Sequence, residues 1–465
     1  MKAEELAHLI GTLSKAELTI VEEHIDGKAK LLNVYKGLII GRSDAEISAS
    51  IYTERAGNKY YQLKSRLLQV VLKVLAISNS NSHYNTKAYT NKQNIRQLII
   101  DSEILYSRGL SQEGDRILKK AEAIALRYQY HVELYTIYDL LLKHKGKRSG
   151  IEFFEQVQEK KVAALHRLET LSNATYEYSK LMLPDYQKLN YLYEKEVYSA
   201  LKELESLTKS DNIDEVKSMA YRARAYYSHI NGDYDDALNS AIKFKELVST
   251  STVLKSNSNI AGASMQLAII YTLTTRHKLA IAETDIALKH FVKKSMNELN
   301  VLNIRFVSGF VGNEIQLMKE TLESAKANPF LKKSDYHQGL WEIRKAQYLF
   351  RSNSFVECAQ LVNNSSALNN DKFEWRPGLD LFLVYLYVLS NDFDIAEYRL
   401  RALRRKYSSK LKDRSSQLYW TYKLLSSCLR LDRRNLEWEE PEVAYDPFKF
   451  NILSISEMRV GLDID

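Results

Sequence analysis

The run Asn231-Gly232-Asp233-Tyr234-Asp235-Asp236-Ala237-Leu238 constrains the fold more than any other part of this chain. Gly at a helix C-terminus takes the left-handed backbone conformation, Asp caps the helix that follows, and Ala lets two backbones approach closely. Together they specify a tight corner between two packed antiparallel helices. Weaker copies recur on both sides. Around Ala280 the first helix carries Leu267, Ala268 and Tyr271, and the second carries Ala287. Cys358 follows Asn353-Ser354-Phe355-Val356-Glu357, with Ala346 upstream, and Ala396 follows Asn391-Asp392-Phe393-Asp394-Ile395, with Tyr387 before it. Gly312-Asn313-Glu314-Ile315-Gln316-Leu317 supplies a looser copy between them, and Gly109 precedes Gly114, Leu118 and Ala121 at nearly the same offsets.

Aligned on the residue that opens each second helix, Ala237, Ala280, Leu317, Cys358 and Ala396 are separated by steps of 43, 37, 41 and 38 residues. Gly232, Tyr234, Ala237 and Leu238, together with Ala225, resemble a tetratricopeptide (TPR) repeat, and the resemblance extends from about residue 95 to 405. The steps exceed the roughly 34 residues of that repeat, so the helices or the loops are longer. The Pro that closes each repeat in that family is almost absent, because the chain has five Pro in all. The pattern is therefore divergent TPR-like. Leu13-Ser14-Lys15-Ala16-Glu17, Leu31-Leu32-Asn33-Val34-Tyr35 and Leu63-Lys64-Ser65-Arg66-Leu67-Leu68-Gln69-Val70-Val71-Leu72 are similar to the start of a group of bacterial TPR proteins, most of which lack an assigned activity.

What the resemblance implies is an all-α fold: a right-handed TPR-like α-α superhelix, or solenoid, with a small N-terminal helical domain. In such an array the first helix of each repeat lines an inner groove that holds another molecule. The family's register puts Arg222, Tyr226, His229, Gln266, Arg344, Gln347, Arg351 and Tyr385 at exposed groove positions. That set is basic and aromatic. It suits an extended peptide carrying carboxylates, since Arg holds a carboxylate through two hydrogen bonds and Tyr supplies rigid contact area.

The composition agrees with helices throughout. Five Pro and sixteen Gly in 465 residues leave long stretches rich in Leu, Ala, Lys and Glu, with apolar residues three and four apart. Tyr193, Val197, Ala200, Leu201 and Leu204 trace one such stripe. The 31 Tyr fit aromatic contacts between repeat helices, with hydroxyls left near solvent. Cys358 and Cys428 stand alone, which gives no disulfide framework and no metal-binding pair. The start Met1-Lys2-Ala3-Glu4-Glu5-Leu6 lacks the basic opening and apolar run of a secretory signal, and a cytoplasmic location is expected. Leu379 to Leu389 is the most apolar window, contains Asp380, and is too short for the ~20 residues of a membrane helix. It reads as a buried repeat helix, and no membrane partner is expected.

Local signals divide the chain into a helical head (1–80), a repeat array (81–435) and a C-terminal cap or tail (436–465). Ser14-Lys15-Ala16-Glu17 and Ser43-Asp44-Ala45-Glu46 have capping-box spacing, and Gly27 and Gly41 are placed to end short helices. Tyr60 to Ile77 has the spacing of a longer helix, and the polar run Ser78 to His83, followed by Asn85 to Asn94, marks the boundary. Lys143 to Gly150 reads as a basic loop. Leu436 to Glu442 and Pro447 stop the helical pattern, and the tail that follows is expected to cover the last repeat.

No catalytic constellation emerges, and the chain is expected not to be an enzyme. The ten His are scattered with no H-E-x-x-H pair, so neither a metal nor a cofactor is expected. Gly146-Lys147-Arg148-Ser149 lacks the upstream Gly of a phosphate-binding loop. The densest basic segment runs from Arg399 to Arg414, where Arg401, Arg404 and Arg405 share a helix face that suits phosphates or an acidic partner. Two functions follow. The first is a non-catalytic scaffold or adaptor that binds a peptide or protein segment in the groove. The alternative is a nucleic-acid-binding regulator using the head, where Asp44 to Tyr52, a break and a helix with Lys64 and Arg66 imitate a helix-turn-helix. The apolar run Leu67, Leu68, Val70, Val71, Leu72, Val74 and Leu75 argues against that second helix lying in a nucleic-acid groove. Neither function fixes an oligomeric state.

Overall fold

A computed structural model of the chain describes residues 3–52, 57–77, 87–181, 191–369, 375–413, 416–429, 448 and 453–462. Every regular element among them is helical. Contacts divide the chain into two compact units, Met1–Glu169 and Thr170–Asp465.

In the first unit, α1 (Ala3–Gly11), α2 (Lys15–Ile25), α3 (Ala29–Ile39), α4 (Asp44–Tyr52) and α5 (Asn58–Ile77) enclose one apolar core that includes Leu6, Val21, Val34, Ile47, Tyr60, Leu67 and Val71. Local chemistry sets the helix ends. Ser14 accepts from the Glu17 amide while the Ser14 amide donates to the Glu17 carboxylate at 2.7 Å, and Ser43 and Glu46 repeat the exchange. Gly27 at φ 71° and Gly41 at φ 81° end α2 and α3 in the left-handed region. The polar run 78–83 lies outside the described residues.

Lys64 is almost wholly buried in this core, and its Nζ donates to Asp44 Oδ1 at 2.7 Å beside the Tyr60 hydroxyl at 2.6 Å. Burial pushes the Asp44 carboxyl up, but the hydrogen bonds from Lys64 and Tyr60 and the Lys64 charge outweigh it, leaving the group below its ordinary 3.8. A depressed folded-state pKa contributes stability above the unfolded pKa and loses it as the pH falls through the folded one. Urea midpoints across a pH series should therefore show the native chain losing stability below about pH 4. Asp44→Asn should lack that component and be weaker at neutral pH. A midpoint for Asp44→Asn that tracks the native curve through the acid range would contradict the pairing.

The rest of this unit comprises α6 (Lys87–Ser107), α7 (Ser111–Arg127), α8 (His131–Leu141), the short helix α9 (Lys147–Ser149) and α10 (Ile151–Leu181), within which the division falls. Gly114 on α7 faces the Tyr106 ring so closely that an added Cβ would lie 2.9 Å from it. Residues 143–150 are not the loop expected from their charge. Leu142–Gly146 form a π-helical turn that runs into α9, and the backbone breaks only at Gly150, φ 84°. The basic side chains sit on a helix because Lys and Arg are good helix formers and Gly146 keeps right-handed helical angles, φ −51° and ψ −48°, so only Gly150 turns the backbone.

The second unit contains α11 (Tyr191–Ser210) and then helix pairs: α12 (Asp214–Ile230) with α13 (Tyr234–Thr250), α14 (Asn257–Leu273) with α15 (His277–His290), α16 (Met296–Val311) with α17 (Ile315–Lys326), α18 (Asp335–Arg351) with α19 (Phe355–Asn364), and, after the short α20 (Ser366–Asn369), α21 (Arg376–Leu389) with α22 (Phe393–Lys406). The corners share one hydrogen-bonding scheme. Gly232, Thr275, Asn313, Asn353 and Asn391 all have positive φ, between 56° and 76°. The following amide reaches back to the carbonyl of the residue five positions earlier: Asp233 to Ser228, Arg276 to Tyr271, Glu314 to Gly309, Ser354 to Leu349 and Asp392 to Tyr387. This is a Schellman closure at each corner. Five residues after each left-handed position comes a fully buried residue, Ala237, Ala280, Met318, Cys358 and Ala396.

The third corner is thus one residue out from the Leu317 alignment. Leu317 is only partly buried, and Met318 occupies the inner position because the turn at Asn313 sets the register. The steps become 43, 38, 40 and 38 residues. Thr275 is the β-branched member of the series, at φ 57°. The left-handed conformation costs an L-residue about 1–2 kcal/mol, so Thr275→Gly is expected to stabilise the chain by about 1 kcal/mol, read as a raised denaturation midpoint. An unchanged or lowered midpoint would count against the corner geometry.

The largest core lies in α16 to α22 together with α23 (Gln417–Leu429) and α24 (Ile455–Gly461), around Phe306, Phe310, Trp341, Trp375, Phe382 and Trp420. In α21 the apolar window is buried as expected, and Asp380 within it is held by Arg376 at 2.7 Å and Lys406 at 3.4 Å. Val197, Ala200, Leu201 and Leu204 form the buried stripe of α11, whereas the Tyr193 side chain lies outside the described residues. Residues 436–442 and Pro447 do as well.

Candidate functional site

The nominated groove residues fall on four first helices. Three are on α12. Arg222 is half-buried, with its guanidinium 5.0 Å from the Tyr178 ring centroid and 5.6 Å from that of Phe244. Tyr226 and His229 are also half-buried, and the His229 ring lies 6.4 Å from that of Tyr234. Gln266 on α14 joins this group, since its Nε2 donates to the Arg222 carbonyl at 3.4 Å. Its Oε1 is buried with no hydrogen-bond partner. This stretch presents a cation, two rings and an amide from two neighbouring helices.

Further along, the expected exposure does not hold. Arg344 is 2 % exposed, Gln347 1 % and Tyr385 1 %. Arg344 Nε donates to Asn303 on α16 at 2.8 Å, and its Nη1 donates to Gln347 Oε1 at 2.9 Å. The register of a single repeat puts these positions on the inner face, but α16 and α18 pack directly against each other there, and a residue of each fills the space. Tyr385 is covered by α24: an added Cβ on Gly461 would overlap its hydroxyl. Burial first, and then the Glu457 charge, push the Tyr385 hydroxyl up to about 12. Arg351 is also engaged, donating to Glu457 of α24 while lying 4.4 Å from the Phe310 ring centroid. Arg351 and Tyr385 are thus brought together, beneath the chain's own C-terminal helix.

Arg404 and Arg405 are exposed on α22, and Arg401 beside them is paired with Glu397 one turn away. The acidic residues 437–442 lie outside the described residues. In the head, the cation that a nucleic-acid interface would need at Lys64 is held by Asp44, and Leu67, Val71 and Val74 of α5 are buried in the core.

Two clefts of the second unit were not legible in the sequence. One, of about 360 Å³, lies among α11, α12 and α13 and contains Arg224, held by Asp236 at 2.6 Å and Glu205 at 3.4 Å. Burial pushes the Asp236 carboxyl up, but hydrogen bonds from Ser228 and Arg224 outweigh it and leave it below its ordinary range. The other, of about 780 Å³, is bounded by α17, the 3-10 turn Pro329–Lys333, α18 and the α19–α20 junction. Cys358 donates to the Ala346 carbonyl at 3.2 Å, and burial pushes its thiol up to about 12, far from an activated thiolate. Among the described residues no group of three His, Cys, Asp or Glu is placed to hold a metal ion, and no helix is long and apolar enough to cross a membrane.

No protein-family model matches the chain, and no curated protein matches it either.

Proposed function

We propose that this protein is a non-catalytic interaction scaffold: a TPR-like helical-repeat array, of the right-handed solenoid type, that holds a peptide or protein segment along its first helices. One observation carries the reading. Five successive corners use the same left-handed residue position, the same backward hydrogen bond and the same buried position five residues later. Repeating one helix pair extends a surface without building an enclosed catalytic pocket, and such surfaces serve to bind extended partners.

The binding face in this reading is the α12–α14 stretch with Arg222, Tyr226, His229 and Gln266. Its arginine and rings are accessible enough to meet a ligand and fixed enough to lose little entropy. Selection of an unbiased displayed-peptide library on the intact chain tests it. A reproducible motif is expected, with affinity reduced about tenfold or more by the double substitution Arg222→Ala/Tyr226→Ala. Failure to enrich any motif would remove peptide binding as the function.

A further inference from the structure

The cleft of about 780 Å³ beside α18 has features that its fold does not use. Its floor is apolar, made by Leu322, Leu331, Leu349, Leu361 and the Trp341 ring. Four exposed lysines stand on its rim: Lys319, Lys326, Lys332 and Lys345. None of the four has a carboxylate partner among the described residues. Glu323 and Glu342 are the acids of the lining, so the rim carries an excess of positive charge.

Two polar atoms behind the lining have no hydrogen-bond partner. Trp341 is only 5 % exposed, and its Nε1–H has no acceptor. Next to it in sequence, Glu342 Oε2 is buried with no donor. Both atoms are closed off from solvent, so the ligand is chosen by the surface of the cleft: an apolar floor ringed by lysines suits a peptide that alternates apolar and acidic side chains and meets floor and rim along its length.

We propose that this cleft is a second docking site, for a peptide segment with apolar residues on the floor and several Asp or Glu side chains among the four lysines. The proposal shares with the scaffold reading only the class of ligand; it involves different helices and different residues. The test uses the full-length chain and two fluorescein-labelled twelve-residue probes, one of Leu and Glu and one of Leu and Lys, followed by fluorescence polarisation. The acidic probe is expected to bind and the basic one not. Lys326→Glu/Lys345→Glu should weaken the acidic probe about tenfold or more, because like charges then face each other across the rim. Lys326→Arg/Lys345→Arg should retain binding, and Arg222→Ala/Tyr226→Ala should leave it unchanged. Equal binding of both probes, or binding indifferent to the lysine reversals, overturns the cleft assignment. If the acidic probe fails while library-selected peptides still bind, the cleft falls and the scaffold reading stands. If no peptide of either kind binds, both fall.

Discussion

Replacing Arg344 by Glu is expected to destabilise the second unit by about 3–5 kcal/mol, because it breaks a buried polar cluster and leaves a charge inside it. The side chain is 2 % exposed and its guanidinium is shared between Asn303 Oδ1 and Gln347 Oε1. Glutamate is shorter, reaches neither amide in the same way, and brings a charge into a space from which water is excluded. Arg344→Met separates the two contributions. It keeps an unbranched side chain and removes the charge, so it should cost less than the glutamate, about 1–3 kcal/mol, with the Asn303 and Gln347 amide oxygens left without their donor. Arg405→Glu, on the exposed face of α22, should lie within about 0.5 kcal/mol of the native chain. Urea denaturation of the three variants gives the ranking directly. If Arg344→Glu melts like Arg405→Glu, the arginine is not buried between α16 and α18.

That ranking also separates what the sequence carries from what it does not. A corner is a local object. Its left-handed residue, its cap and its small inner residue lie within a few positions of one another, so Gly232 through Ala237 and Asn391 through Ala396 are readable as letters. The capping boxes at Ser14 and Ser43 are readable for the same reason, since both partners lie within one turn. Leu317 is one residue off the inner position because two apolar residues stand side by side there, and only the backbone angle at Asn313 chooses between them.

Exposure is not local. The inner-face register treats each helix pair as if its neighbour were absent, and so misses that Asn303, 41 residues before Arg344, takes up its guanidinium. Still less does it report that Glu457, 106 residues after Arg351, closes over that side chain. The cleft beside α18 is a third case, built by consecutive elements between residues 319 and 367. Its walls come from several of them, so no periodicity in the chain announces it. What would have hinted at it is a slight basic excess between residues 319 and 345, where six Lys or Arg stand against four Asp or Glu.

Two glycines in helix interiors should respond to alanine with opposite signs, and the difference comes from packing alone. Gly339 lies within α18, where Trp375 rests directly on the backbone: a Cβ there would overlap the ring, with two further ring atoms at 3.2 Å. The ring is 3 % exposed and belongs to the main core, so it has no free space into which to retreat. Overpacking of this kind costs about 1–3 kcal/mol, which exceeds the roughly 1 kcal/mol that Ala gains over Gly in a helix. Gly339→Ala is therefore expected to lower stability by about 1 kcal/mol net, and Gly339→Leu by more. Gly262 lies within α14 with nothing inside 4 Å of an added Cβ, so the propensity gain stands unopposed. Gly262→Ala should raise stability by about 1 kcal/mol. Thermal melts of the two alanine variants beside the native chain decide the matter, because helix propensity by itself predicts a rise for both. A rise for Gly339→Ala would mean that Trp375 is not seated on α18, and the apolar core that joins α18 to α21 would need a different arrangement.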